Sequence, residues 1–129
     1  MNEPSLWPKN LDADPVSDDE PRAILDRAAT EIDGLTGGMV VGEVLTSGAG
    51  DKLELSFYLR ATEVEYRYFL FKVRHTIDGF PVEFIDASST KSTQLQDRQS
   101  FEEELRRLFD TRQVREVVSR LRSLAREVG

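Results

Sequence analysis

The chain has 129 residues, 24 of them acidic and 17 basic for a formal charge of −7, and it contains no cysteine. That length fits one domain with a core of its own, and the missing cysteine excludes a disulfide framework, thiolate catalysis and sulfur-ligated metal sites. With 39% hydrophobic and 32% charged residues the composition is that of a globular chain, and the acidic balance argues against nucleic acid or an anionic membrane as partner.

Residues 1–19 read as a flexible acidic leader ahead of a single domain over 20–129. Three prolines (Pro4, Pro8, Pro15) and five acids leave only Leu6, Trp7, Leu11 and Val16 as sizeable apolar groups, with no helical or alternating period. Trp7, the sole tryptophan, has three readings there: docked on its own domain, loose in solvent, or an anchor for a partner. No apolar core of a secretory signal is visible, and no stretch approaches the ~20 apolar residues of a membrane span, so the expected compartment is the cytoplasm.

A first helix is predicted over residues 21–32. Pro21 suits the first turn, where its missing N–H costs nothing, and Asp18, Asp19 and Glu20 suit the positive end of the helix dipole. Ile24, Leu25, Ala28, Ala29 and Ile32 share one face, Gly34 offers a C-cap, and Gly37-Gly38 marks a further break. The period then falls to two. Strands are predicted over 39–46, Lys52–Ala61, 65–75 and 81–86, separated by a loop at 47–51, a turn around Glu63 and the Asp78-Gly79 turn. In the second, Leu53, Leu55, Phe57 and Leu59 alternate with Lys52, Glu54, Ser56, Tyr58 and Arg60. In the third, Arg67, Phe69, Phe71, Val73 and His75 share one face, with Tyr66, Tyr68, Leu70, Lys72 and Arg74 on the other. Pro81 places the fourth strand at an edge, or its first residue outside the pairing.

The polar stretch 87–99 reads as a loop or lid. Ser100 and Glu103 fit a capping box for a helix running to Phe109, and Asp110 or Thr111 can cap a last helix carrying Val114, Val117, Val118, Leu121, Leu124, Ala125 and Val128. The expected fold is α+β: a four-stranded antiparallel meander with one N-terminal and two C-terminal helices packed on it.

Chemistry-bearing motifs are sparse. His75 is the only histidine and reads as a partly exposed strand-end residue before a turn; the alternative is an acid–base cluster with Lys72, Arg74, Asp78 and Asp86, its neutral imidazole serving as a base. The acidic runs 18–20 and 102–104 sit at predicted helix starts, where negative charge stabilises the first turn. Neither glycine-bearing stretch fits a phosphate loop. No cofactor, metal or catalytic residue is expected. Charge is unevenly placed: net −6 over residues 1–33, −3 over 34–97 and +2 over 98–129, where Arg112, Arg115, Arg120, Arg122 and Arg126 mark the last helix. Arginine forms planar, bidentate pairs with carboxylates, so these residues answer acids of the same chain, of a second copy or of another protein. Tyr66 and Tyr68, with Leu70 on their side, make the second face of the sheet less wet than a plain surface.

An acidic chain of this size, with an opening helix and antiparallel strands, resembles the secretion-chaperone class of bacterial proteins, homodimers that hold an extended partner segment. Those chaperones interrupt their strands with a helix, which this chain does not. The expectation is a non-enzymatic protein–protein interaction or scaffold role as a homodimer with a protein partner. Its contact residues are taken as Trp7, Tyr66, Tyr68, Leu70, Arg112, Arg115 and Arg122. The alternatives are a secretion-chaperone-like binder of an extended segment, and a small-molecule-binding protein or enzyme with a pocket near His75.

Overall fold

The opening helix α1 (Pro21–Leu35) begins on Pro21, buries Ile24 and Leu25, and runs past Gly34 before stopping at Thr36. The Thr36 hydroxyl makes the stop: it donates to the Ile32 carbonyl at 2.9 Å and accepts from the Val40 amide at 3.0 Å, tying the end of the helix to the first strand. Gly37 and Gly38 supply the left-handed backbone of the turn between them, with φ of 60° and 82°. The computed structural model describes residues 5–9, 20–88 and 91–128. Most of the predicted leader, Asp18 and Asp19 included, lies outside the described residues.

Five strands follow: β1 (Val40–Ala49), β2 (Lys52–Ala61), β3 (Arg67–His75), β4 (Val82–Asp86) and β5 (Thr93–Leu95). They form one antiparallel sheet in the order β1-β2-β3-β4-β5, so the expectation of a four-stranded meander is corrected to a five-stranded one. The fifth strand lies inside the stretch read as a loop. It has three residues, of which only Leu95 is buried, too little for alternation to be visible. Its ladder with β4 nevertheless satisfies backbone groups that would otherwise end the sheet at Val82–Asp86. Pro81 stands just outside β4, one of the two places its missing N–H allows.

Two more helices close the domain, α2 (Arg98–Phe109) and α3 (Arg112–Val128). The first starts three residues earlier than predicted. Asp97 is its N-cap, accepting from the Ser100 amide at 2.9 Å, while the Asp97 amide donates back to the Ser100 hydroxyl at 3.3 Å. Ser100 is thus the far member of the capping box, not its first. Hydrogen bonding from Ser100 to the Asp97 carboxyl, by the backbone amide first and the side chain second, holds it below the usual carboxylate range. A carboxyl depressed in the folded state contributes stability above its unfolded value of ~3.9 and loses it as pH falls through the folded value. Asp97→Ala is therefore expected to melt a few degrees below wild type near neutral pH, and Asp97→Asn, which keeps an acceptor, less so. Circular-dichroism melts should show the gap closing as the solution is acidified below about pH 4.

The core lies between one face of the sheet and the helices. Phe57 stacks on its cross-strand partner Phe71 (centroids 5.2 Å, interplanar angle 7°), Phe71 stacks on Phe84 at 5.0 Å, and Phe109 of α2 caps the first two rings at 5.9 and 6.2 Å. Helix α1 lies very close to β1, where Gly42 faces Ala29. Glu102 of α2 accepts from Arg27 of α1 and lies 3.5 Å from Arg98, so one carboxylate links the two helices.

Candidate functional site

The register of β3 decides what the tyrosines do. Phe71 pairs with Phe57 but Phe69 pairs with Tyr58, so Leu70 is an extra residue, a β-bulge between two regular stretches. Leu70 and Phe71 are consequently both buried, and the alternation inverts on either side of them. Tyr68 comes opposite Leu59, on the face covered by helices, while Phe69 turns outward with Tyr58. The tyrosine side of β3 is therefore closed by α3. The Gln113 side-chain amide donates to the Tyr68 hydroxyl at 3.3 Å, and Tyr66 and Tyr68 meet Val117, Arg120, Leu121 and Leu124 in a groove of about 210 Å³. Its rims stay open to solvent, with Tyr66 53% and Leu124 36% exposed.

The structure brings together some of the predicted contact residues and separates others. Tyr66 and Tyr68 join α3 in the groove, whereas Leu70 is a core residue. Arg112 pairs with Glu116 at 3.0 Å and Arg115 with Asp110, both in the open near the start of α3. Arg122 is half-buried, its Nε hidden from solvent without a hydrogen-bond partner among the described residues. Trp7 is 71% exposed. Sequence reasoning missed Leu124 and Val117 as groove residues. Their signal is the helical spacing of 117, 121 and 124, which marks one face of α3 but says nothing of what it meets.

His75 is buried. Its Nδ1 lies 2.7 Å from the Thr76 carbonyl, and its Nε2 has no hydrogen-bond partner among the described residues. It borders a polar hollow of about 510 Å³ at one end of the sheet, together with Lys52, Arg74, Glu83 and Gln94. Of the acid–base neighbours drawn from sequence, Lys72, Arg74 and Asp86 have other partners. Lys72 and Arg74 pair with Glu54, at 3.8 and 3.0 Å, and Asp86 accepts from the amide and hydroxyl of Ser88.

The other face of the sheet carries the Tyr58–Phe69 ring pair, 5.5 Å apart, inside a lattice of ion pairs. Glu43 holds both Arg60 and Arg67, Glu54 holds Lys72 and Arg74, and Glu83 lies 3.9 Å from Lys52. These cations are answered in place by carboxylates of other strands of the sheet. Among the described residues no cluster of three metal-ligating side chains occurs, and no helix is long and apolar enough to cross a membrane.

Comparison with family models, with curated proteins and with solved structures finds no match.

Proposed function

We propose that this chain is a non-enzymatic protein-interaction module that assembles as a homodimer in the cytoplasm and makes its contacts through the groove between β3 and α3. The observation that carries the reading is that groove. Tyr66, Tyr68, Val117, Leu121 and Leu124 give it apolar walls, and it opens onto a helix with five arginines against two glutamates. A volume of about 210 Å³ is below the ~300–1,000 Å³ of small-molecule sites, and suits one bulky side chain of a protein partner. Tyrosine and arginine around an apolar centre are also the residue types that carry most of the energy at protein interfaces. The alternative at His75 has a hollow of about 510 Å³, within that small-molecule range, but His75 shares no hydrogen bond with a carboxylate among the described residues.

Light scattering on the purified chain at micromolar concentration is expected to give twice the 14.7 kDa chain mass, and Leu124→Asp to return the single-chain mass with an unchanged circular-dichroism spectrum. A single-chain mass for wild type at every concentration would remove the homodimer from the reading. For a protein partner, captured candidates are to be purified and titrated against wild type and Leu124→Asp. Equal affinity for both proteins would move the contact away from the groove.

A further inference from the structure

The two sides of β1 are bonded differently. Its register with β2 is unbroken from Val40 opposite Ala61 to Ala49 opposite Lys52, and just beyond it the Thr62 amide donates to the Met39 carbonyl at 2.9 Å. Odd-numbered residues of β1 therefore exchange hydrogen bonds with β2, and even-numbered ones turn their N–H and C=O groups away from the sheet. At Val40 those outer groups are met within the fold. The Thr36 hydroxyl accepts from the Val40 amide at 3.0 Å and lies 3.1 Å from its carbonyl. The outer groups of Gly42, Val44, Thr46 and Gly48 have no such partner among the described residues. They form a row of alternating donors and acceptors roughly 20 Å long.

Helix α1 limits what can fill that row. Ala29 packs on Gly42 and Arg22 reaches the Thr46 hydroxyl at 2.5 Å, so the helix rides directly above β1. Paired strands lie about 4.8 Å apart, whereas packed helices need about 8–10 Å. A second copy pairing its own β1 here would bring its α1 to about 5 Å from the first, and the two would collide. A bare extended segment carries no helix and fits. Its residues on the side beneath α1 must be small, while on the other side apolar ones can cover Leu45, which is 42% exposed. Arg22, Asp26 and Asp33 share the stripe of α1 that holds Ala29, with Arg22 paired to Asp26 at 3.0 Å. That leaves a net −1 toward the Val40 end of the row, where a basic residue is favoured.

We propose that the free side of β1 takes up an extended segment of a protein partner as an added antiparallel strand. The segment has small side chains at alternate positions and a basic residue at its C-terminal end, beside Asp33. Main-chain hydrogen bonds hold it, and the alternating side chains select it. This surface is separate from the groove and does not require it.

The probe is a synthetic peptide of about ten residues that alternates serine and valine and ends in lysine. It is titrated into the full, isotope-labelled chain while amide hydrogen exchange is read by NMR. At a peptide concentration about ten times its dissociation constant, the amides of Gly42, Val44, Thr46 and Gly48 should exchange roughly tenfold more slowly. Amides of the odd-numbered residues, already bonded to β2, should change little. Thr46→Pro and Gly48→Pro each remove an outward donor and spare the β2 ladder. Both should keep the wild-type circular-dichroism spectrum and bind the peptide about tenfold more weakly. A peptide ending in glutamate should bind about two- to fivefold more weakly than the lysine one.

Unchanged exchange at the four amides up to millimolar peptide overturns the added strand, and this wild-type reading decides the matter if either variant fails to fold. Wild-type affinity in the folded proline variants also overturns it. Equal affinity for the two peptides overturns the antiparallel direction. Slow exchange at the four amides in the free protein would mean that the edge is already filled. A second copy holds it if the protection depends on concentration, the chain itself if it does not, and either result overturns the proposal. Light scattering on the same samples reports the homodimer separately, so the failure of one reading is distinguishable from the failure of the other.

Discussion

Phe71→Ala is expected to destabilise the protein by about 4 kcal/mol, whereas Phe69→Ala, two residues away, should cost about 1 kcal/mol. Phe71 is fully buried, is stacked between Phe57 and Phe84, and has Phe109 above it. Removing it deletes the centre of a four-ring cluster and leaves a hole that three flanking rings on a sheet and a helix cannot collapse to fill. Phe69 packs on Tyr58 on the open face and is only half-buried. Leu70→Ala belongs with Phe71, at about 2–4 kcal/mol, because the bulge turns both side chains inward. Strict alternation demands a different order, with Phe69 and Phe71 equal and Leu70 mild. Urea unfolding of the three variants separates the two patterns, and equal losses at 69 and 71 would contradict the bulge. A domain of this size has roughly 5–15 kcal/mol in total, so Phe71→Ala should lie near the limit of folding.

The second large effect is expected at Gly42. A Cβ there would lie 2.8 Å from the Ala29 Cα, 2.9 Å from the Ala29 Cβ and 3.0 Å from Phe57 Cζ. Two of those atoms belong to α1 where it lies against β1, and a Cα cannot rotate away. Replacing a strand glycine by alanine ordinarily gains stability by restricting the unfolded chain. Here Gly42→Ala should instead lose about 2 kcal/mol, and Gly42→Val more, because the helix must lift from β1. Ala29→Gly should cost about 1 kcal/mol alone, through helix propensity, yet restore part of the Gly42→Ala loss by removing the 2.9 Å contact. Thermal unfolding of the two single variants and the double variant gives the coupling. Strict additivity would place the close approach elsewhere.

These two sites mark how far the sequence can be read. Strand β2 is legible because Leu53, Leu55, Phe57 and Leu59 alternate with polar residues over a full strand length. Helix α3 is legible because its apolar residues recur at helical spacing. The bulge is hidden because alternation read along one strand carries no information on its register with the next. The run Phe69-Leu70-Phe71 is its only trace. Strand β5 is hidden because one buried leucine among polar residues makes no period. The capping box of α2 is displaced by three residues because Asp97–Ser100 and Ser100–Glu103 both satisfy the spacing, and only the backbone decides between them. Of the site, Tyr66, Tyr68 and the arginine-bearing helix are each visible in sequence. Their meeting is a tertiary fact, set by a bulge that turns Tyr68 toward α3.

The unequal edges of the sheet set a limit on sheet growth. Strand β1 has ten residues, holds neither lysine nor proline, and among the described residues pairs only with β2. Strand β5 at the far edge has three residues, two of them exposed. An extended backbone can hydrogen-bond along the first edge and finds almost no ladder at the second. Continuous fibres need every added unit to offer a fresh competent edge, and a unit joined through β1 offers only the short one. Edge-on addition therefore terminates at a pair, so the exposure of β1 does not commit the fold to polymerisation.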